Sequence, residues 1–412
     1  MSGRTIIRRL AALFLLLGLL SSCAAPAQVE SRPAAAIETP PPVVEELPEL
    51  PPEPTVATLA VCGDVMSHMP VTNDAWDAAT ETYDYRPILR SVKPLVEQAD
   101  YAVANLETTF AGGPKYSGFP YFNSPDGLAD GLADTGFDLL LTANNHCMDR
   151  GFSGLCRTLD VLDERGLAHV GTSRTQEEAD ANVVVADVGG ISVAFLGFTY
   201  GTNGLPLEAP FSVNLFNTDY LTTISQLDET RLLGALEQAK ALEPDLIAVM
   251  IHWGIEYKTK QNAYQERVAQ FLFDHGADIV LGGHSHVLQP MELRTLARDD
   301  GERQGFVCYS LGNFTSSQVD PLTDTTVVLE LTLVRDNVTG AAEVADYTYT
   351  PMLMRNRGAG EAERFELLDV YAELFSGEEC EVPEACRAAV EACRSILGTE
   401  HDAHPEFDIN TP

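Results

Sequence analysis

Six short polar motifs in this chain carry residues able to bind a divalent cation and to move a proton. They are Gly63-Asp64-Val65-Met66, Asn105-Leu106-Glu107, Ala143-Asn144-Asn145-His146 with Asp149 close behind, His252-Trp253-Gly254, Gly282-Gly283-His284-Ser285-His286, and Ser310-Leu311-Gly312-Asn313-Phe314. The inventory is carboxylate, carboxamide and imidazole. Hard oxygen combined with imidazole nitrogen suits Mn, Zn, Fe or Mg far better than a thiolate site does. Such a set can hold one ion or two, and two ions ~3.5–4 Å apart can clamp a phosphoryl group and activate a water. His284 and His286 can serve two neighbouring metals, or one if a turn intervenes. Each motif alone is weak, because a Gly-Asp is often only a turn and a His-x-His only a loop. The ordered set is what carries the inference.

The motifs must be brought together by the elements that precede them. Short apolar runs of strand length lie at Thr58–Cys62, Tyr101–Asn105, Asp138–Thr142, Ser192–Phe198, Leu246–Ile251, Asp278–Leu281 and Val307–Ser310. Several are continuously apolar, the pattern of strands covered on both faces. Six of the seven run directly into a motif. In open α/β sheets the crevice beyond the carboxyl ends of the strands is where ligands bind. Helical patterns over Arg86–Gln98, Gly154–Arg165, Asp219–Leu242 and Tyr264–His275 separate the strands. Asn182–Asp187 and Ser192–Phe198 read as a hairpin about Gly189-Gly190. Thr325–Val334 and Glu343–Thr350 read as a late antiparallel pair. The class is α/β with mixed sheets.

The motif set resembles the CapA family, associated with poly-γ-glutamate capsule synthesis and itself similar to the calcineurin-like metallophosphoesterases. The resemblance covers about residues 56–355. It implies a four-layer sandwich, two mixed β-sheets flanked by helices. It also implies roles. Asp64, Glu107 and His286 stand where a first metal is held, with Glu107 bridging. Asn145, His252 and His284 stand where a second is held, and His146 where a general acid stands. The phosphoesterases carry a histidine two residues after the first Asp; here that position is Met66, whose thioether is a poor ligand for a hard ion. His68 lies nearby but out of register. Asn144, Trp253, Glu256 and Asn313 are candidates to line a substrate pocket.

The ends of the chain have other work. Arg4, Arg8 and Arg9 precede an apolar run, Leu10–Leu20, too short to span a bilayer but suited to a secretory signal. Leu20-Ser21-Ser22-Cys23 resembles a bacterial lipobox, which makes residues 1–22 a lipoprotein signal peptide and Cys23 the lipidated first residue. Residues 24–54 hold 9 of the 24 prolines. With its Glu and Ala, residues 23–55 read as a lipid-anchored, extended linker. Residues 356–412 read as a Cys-containing helical extension, with a helix around Ala385–Leu397. Cys386 and Cys393 are too far apart on one helix to bridge, whereas Cys380 can pair with either; a zinc site is the weaker alternative. Cys62, Cys147, Cys156 and Cys308 read as small buried hydrophobes.

The chain has 412 residues, 61 Asp+Glu, 26 Lys+Arg and a formal charge of −35. Removal of residues 1–22 takes three arginines and no acids, leaving −38. Such acidity argues against a nucleic-acid binder and against polybasic docking to anionic lipid. The expected function is therefore that of a lipid-anchored protein on the extracytoplasmic face of the cell membrane, acting in poly-γ-glutamate synthesis or export as a metal-dependent hydrolase. Its partners would be an anionic polymer or phosphate-containing substrate and a membrane polymer-synthesis complex. The alternatives are a non-catalytic accessory or scaffold protein of polymer assembly, and a phosphoesterase acting on an extracellular phosphate ester.

Overall fold

Alternation along the strands determines how the layers stack. In the first strand, Thr55–Val65, Leu59 and Val61 pack to one side and Ala60 and Cys62 to the other. Both faces are buried, so the strand must lie between two layers. The computed structural model describes residues 51–298, 301–376 and 380–409. The signal segment, Cys23 and the linker as far as residue 50 lie outside the described residues. Among the described residues no helix is long and apolar enough to cross a membrane.

Two mixed sheets form the centre. The first runs in the order Phe365–Asp369, Ala342–Asn356, Thr325–Arg335, Thr55–Val65, Tyr101–Leu106, Leu139–Leu141, Ala168–Val170, with Asn313–Thr315 also pairing to Thr55–Val65. Its last four main strands are parallel to one another, and the other three are antiparallel. The second runs Met291–Arg298, Gly301–Cys308, Ile279–Gly283, Leu246–His252, Ile191–Thr199, Val184–Val188, with four parallel strands between two antiparallel edges.

The sheets face each other through Leu59, Val61, Val103 and Leu141 on one side and Val193, Phe195, Ala248 and Ile279 on the other. The outer face of the first sheet takes Ile88, Val96, Leu128 and Leu132 from short helices. The outer face of the second takes Leu232, Leu236, Val268 and Leu272 from Glu229–Lys240 and Ala263–Asp274. This is the expected four-layer sandwich.

Several elements differ from the sequence reading. The stretch Arg86–Gln98 is two helices, Arg86–Leu89 and Lys93–Gln98. Pro94 cannot donate to the carbonyl of Arg90, so one continuous helix is broken there. The expected helix over Asp219–Leu242 begins only at Glu229. Its first ten residues form a loop held by the Asp219 carboxylate, which accepts from the backbone of Ser225 and Gln226 at 2.9–3.0 Å. The Gly189-Gly190 hairpin forms, both glycines adopting positive φ (55° and 93°) as a tight turn between twisted strands requires. The late antiparallel pair forms and gains a third strand, Phe365–Asp369.

The residues after 356 therefore complete the first sheet, and the helix Pro383–Leu397 packs back on it through Cys386, Val390, Cys393 and Leu397. Cys380 lies against Cys386, with their thiols within hydrogen-bonding reach, while Cys393 faces the carbonyl of Thr326 at 3.8 Å. Cys62, Cys147 and Cys308 are buried; Cys156 is only half-buried, on the helix Gly151–Glu164.

Candidate metal centre

The carboxyl ends of the strands converge on one buried point. Asp64 lies beside Asn105 on one neighbouring strand and Asn313 on the other. Gly283 lies where any side chain would collide with it: a Cβ there would stand 2.4 Å from Asp64 Oδ1. The glycine is thus required by the close approach of the two sheets at the site. His284 and His286 follow it with φ of 93° and 59°. Left-handed φ is costly for residues with a bulky side chain, and it is found where a site demands it.

Two sets of side chains each bring three donor atoms within 4.8 Å of one another. One is Asp64, Glu107 and His286; the other is Glu107, His252 and His284. Glu107 belongs to both. Asn145 joins the second, its Oδ1 accepting from His252 Nε2 at 2.8 Å. All of these side chains are buried.

Hydrogen bonds around the cluster orient its members. Asp64 accepts from Asn105 Nδ2 at 2.8 Å and from the His284 backbone N–H at 2.9 Å. His286 Nδ1 donates to Asn313 Oδ1 at 2.9 Å, and Asn313 is itself fixed by Nδ2 bonds to Gln318 Oε1 and the Thr323 carbonyl. His146 Nδ1 donates to Asp149 Oδ2 at 2.8 Å, leaving Nε2 as the atom free to exchange a proton.

Against this network Glu107 is an exception. Both of its carboxylate oxygens are fully buried and have no hydrogen-bond donor among the described residues. The nearest candidate, His252 Nε2 at 3.5 Å, is already committed to Asn145. His284 Nδ1 is also without a partner. Buried carboxylates without donors are rare and expensive. A divalent cation at the shared point would supply the missing partner, so the donor set fits such an ion.

The electrostatics have the same centre. Burial, followed by the neighbouring Glu107 carboxylate, raises the Asp64 pKa above the usual range. Burial acts the same way on Glu107, but His252, then His286 and His146, outweigh it and hold that carboxyl low. Burial, with His252 and His286 beside it, depresses His284 well below the ordinary histidine value. His146 is the opposite case. Burial lowers its pKa, yet the Asp149 hydrogen bond and the charges of Glu107, Asp149 and Glu256 raise it overall.

The other expected residues are dispersed. Asn144 does not line an opening: it is fully buried, its amide bonded to Asn105 Oδ1 and the Leu106 carbonyl, and its oxygen holds the His146 N–H. Asn313 braces His286 as described. Trp253 is buried, donates to the Tyr309 carbonyl at 2.9 Å, and walls a cavity next to His284. Glu256 is exposed on the loop after His252, and its charge reaches His146. Met66 is buried, its backbone bonded to Thr315. His68 does not enter either group: its Nδ1 faces Ser316 and Ser317 at 3.4–3.5 Å, and burial, with His286 nearby, lowers its pKa to about 4.

Two residues of the site were not anticipated. Asn203, with φ of 50°, accepts from Asn145 Nδ2 at 3.1 Å and lies 3.5 Å from His146 Nδ1. It fixes the flip of the Asn145 amide so that Oδ1 points to the cluster. Tyr200 packs its ring on His284, with centroids 4.6 Å apart. Both follow the strand Ile191–Thr199, the one strand of the expected set for which no polar carboxyl-terminal motif was named. The run Thr199-Tyr200-Gly201-Thr202-Asn203-Gly204 was the available signal.

Residues 58–318 match the family model described as bacterial capsule synthesis protein PGA_cap. The chain is 29% identical over 295 residues to the capsule biosynthesis protein CapA of Bacillus anthracis, an alignment covering 70% of this chain and 66% of that one. It is 28% identical over 292 residues to the PGA biosynthesis protein CapA of Bacillus subtilis (strain 168), covering 70% of each. The chain thus spans just under two thirds of the length of the first relative. Among solved structures, the calcineurin-like phosphoesterase YfkN from Bacillus subtilis aligns with a TM-score of 0.38 and 14% identity, covering 73% of this chain and 91% of that one.

Proposed function

The chain belongs to the bacterial capsule synthesis family PGA_cap, and from that premise we propose that it acts in the synthesis or export of a poly-γ-glutamate capsule as a metal-dependent hydrolase. The observation that carries the hydrolase reading is Glu107. It is a buried carboxylate with both oxygens unpartnered, shared between two three-residue groups of hard donors. Asp64, Glu107 and His286 would hold one ion, and Glu107, Asn145, His252 and His284 a second. A divalent ion in such a set lowers the pKa of a water and polarises the oxygen of the bond to be cleaved.

The chain's own residues supply the rest. With His146 Nδ1 committed to Asp149, Nε2 is the nitrogen left to protonate a leaving group, and the Asp149 bond and nearby carboxylates favour its protonated form. Asp149 fixes that tautomer and is itself anchored by the Phe122 N–H at 2.6 Å. Asn203 holds Asn145, and Asn313 holds His286. Loss of solvent around all of these strengthens each interaction. Lipidation at Cys23 and the extended linker would place the domain on the extracytoplasmic face of the membrane, beside the polymer machinery.

The test is metal analysis of the full chain together with cleavage of poly-γ-glutamate and of a phosphate ester, in wild type and in His146→Ala and Asp64→Ala variants. The expected result is bound Mn, Zn, Fe or Mg in wild type, reduced in Asp64→Ala, which spoils one of the two donor groups, and hydrolysis reduced by about 10²–10⁴-fold in His146→Ala. A chain that takes up no metal and hydrolyses neither substrate is an accessory protein of assembly, and the hydrolase reading fails.

A further inference from the structure

Beside the cluster lies a cavity of about 360 Å³ with a different character. Its walls are Tyr200, Phe216, Trp253 and Tyr264, with Ile224 and Ile255 at its mouth. His284, which belongs to the second donor group, also lines it. The Tyr200 and His252 rings stand 4.6 and 4.8 Å from the His284 ring, so the cavity and the cluster share a wall one ring thick.

Among the described residues, no Lys, Arg, Asp or Glu lines this cavity. Apart from His284, its polar atoms are mostly engaged: the Tyr264 hydroxyl bonds Asn217 and the Trp253 indole N–H the Tyr309 carbonyl. Ser225 hydroxyl bonds Asp219 at 3.1 Å, and Asn262 oxygen caps the helix Ala263–Asp274 by accepting from Tyr264 and Gln265. A carboxylate placed there would be desolvated without a partner, in a protein whose net charge is −35. The size falls within the range of small-ligand pockets, about 300–1,000 Å³. Ile255 is 53% exposed and Ile224 36% exposed, so the mouth presents apolar surface to solvent unless a ligand covers it.

We propose that this cavity is a subsite for an uncharged apolar group, alkyl or ring, of the same molecule whose polar end reaches the Glu107 cluster. It rests on the cluster being the polar-group site. The substrate is then amphipathic at the point of reaction. A run of glutamyl units, each carrying a carboxylate, does not satisfy the cavity; a polymer end or precursor joined to an apolar carrier does.

The test uses alkyl phosphates as probes. The full chain, loaded with Mn²⁺, is titrated calorimetrically with inorganic phosphate and then with ethyl, butyl and hexyl phosphate. The expected result is that affinity improves by about fourfold per added methylene, the value of one buried CH₂, until the cavity is filled. In the double variant Ile224→Glu, Ile255→Glu the ratio of hexyl to inorganic phosphate affinity falls by tenfold or more.

Inorganic phosphate that binds, with no improvement along the series, overturns the subsite and leaves the metal centre standing. A chain-length dependence unchanged in the double variant also overturns it, because the alkyl group is then bound elsewhere. Failure to take up Mn²⁺ or to bind any of the probes overturns the reading of the cluster, and the subsite with it.

Discussion

Replacement of Glu107 by methionine is expected to stabilise the metal-free protein and to destroy its response to metal. Glu107 is fully buried, and among the described residues neither oxygen has a donor. A buried polar group left unsatisfied costs about 1–3 kcal/mol, and a charged one more. Methionine has similar length and no polar atom, so it fills the space without that cost. Glu107→Met should therefore gain about 1–3 kcal/mol in chelator-treated protein at pH 8. At about 2–4 °C per kcal/mol for a domain of about 150–250 residues, and rather less for this larger one, the gain is a few degrees in Tm. Glu107→Gln keeps the shape and removes the charge; it should move Tm in the same direction by less. With Mn²⁺ at about 100 times its Kd, wild type gains about 2.7 kcal/mol by linkage, whereas Glu107→Met gains little. The order of stabilities then reverses between the two conditions. Differential scanning fluorimetry, with and without chelator, reads both arms. A Glu107→Met variant less stable than wild type in the absence of metal would refute the reasoning, because the carboxylate would then be paired within the fold itself.

Asn203→Ala removes the acceptor that holds the Asn145 amide; metal affinity of the second group should fall by about 10–100-fold, measured by competition with a chelating dye, with Tm of the chelated protein changed little. Asp149→Asn keeps the shape of the His146 partner and loses its charge; kcat should fall by about 10²-fold or more, and the double variant with His146→Ala should be no worse than His146→Ala alone. Glu366 receives Arg90 at 2.7 Å, Arg355 and Ser91 at a buried position between the edge strands. Burial pushes its pKa up, but Arg90 and then Arg355 outweigh it and hold it below the usual value. The sign follows: its contribution is fully present above about pH 4.3, the unfolded value, and is lost as pH falls through the lower folded value. Glu366→Gln should cost about 1–2 kcal/mol near neutrality, because Arg90 keeps Glu363 and Arg355 keeps Glu381, and flatten the acid limb of a Tm-against-pH curve.

The strands that carry the cluster were legible because two independent signals coincide in them. Leu246–His252 and Ile279–Gly283 are uninterrupted apolar runs, and each ends in a ligand-type residue. What escaped had only one signal or none. Met291–Arg298 is an edge strand in which Glu292, Arg294 and Arg298 share a face with the buried Leu296, so its alternation is masked by charge. Phe365–Asp369 lies in an acidic segment and is made a strand by pairing with Ala342–Asn356, a contact no local pattern encodes. Pro94 was a visible breaker inside an amphipathic pattern, and the breaker won. Asn203 sits in a Gly-Thr-Asn-Gly run that reads as a plain turn. Only the convergence of Asn145 and His146 on it gives the turn a role.

The charge of the chain bears on how many ions the site needs. Among the described residues, the ion pairs of Asp64 and Glu107 are with histidines alone. The two carboxylates therefore bring two negative charges to a buried point with no permanent cation to offset them. One divalent ion would cancel them and leave an anionic polymer with nothing to attract it. Two would leave the cluster positive, and at contact distance a buried charge is screened far less than the acids scattered over the surface, whose field salt cuts off within about 8 Å. The two groups are also unequal. The second has two imidazoles, Asn145 and a share of Glu107; the first has Asp64, the other share and His286. The weaker ion should then be the one held by Asp64 and His286. In a titration of the metal-free chain with Mn²⁺, binding of inorganic phosphate should begin with the second equivalent and not with the first. Phosphate binding that is complete after one equivalent would show that a single ion suffices.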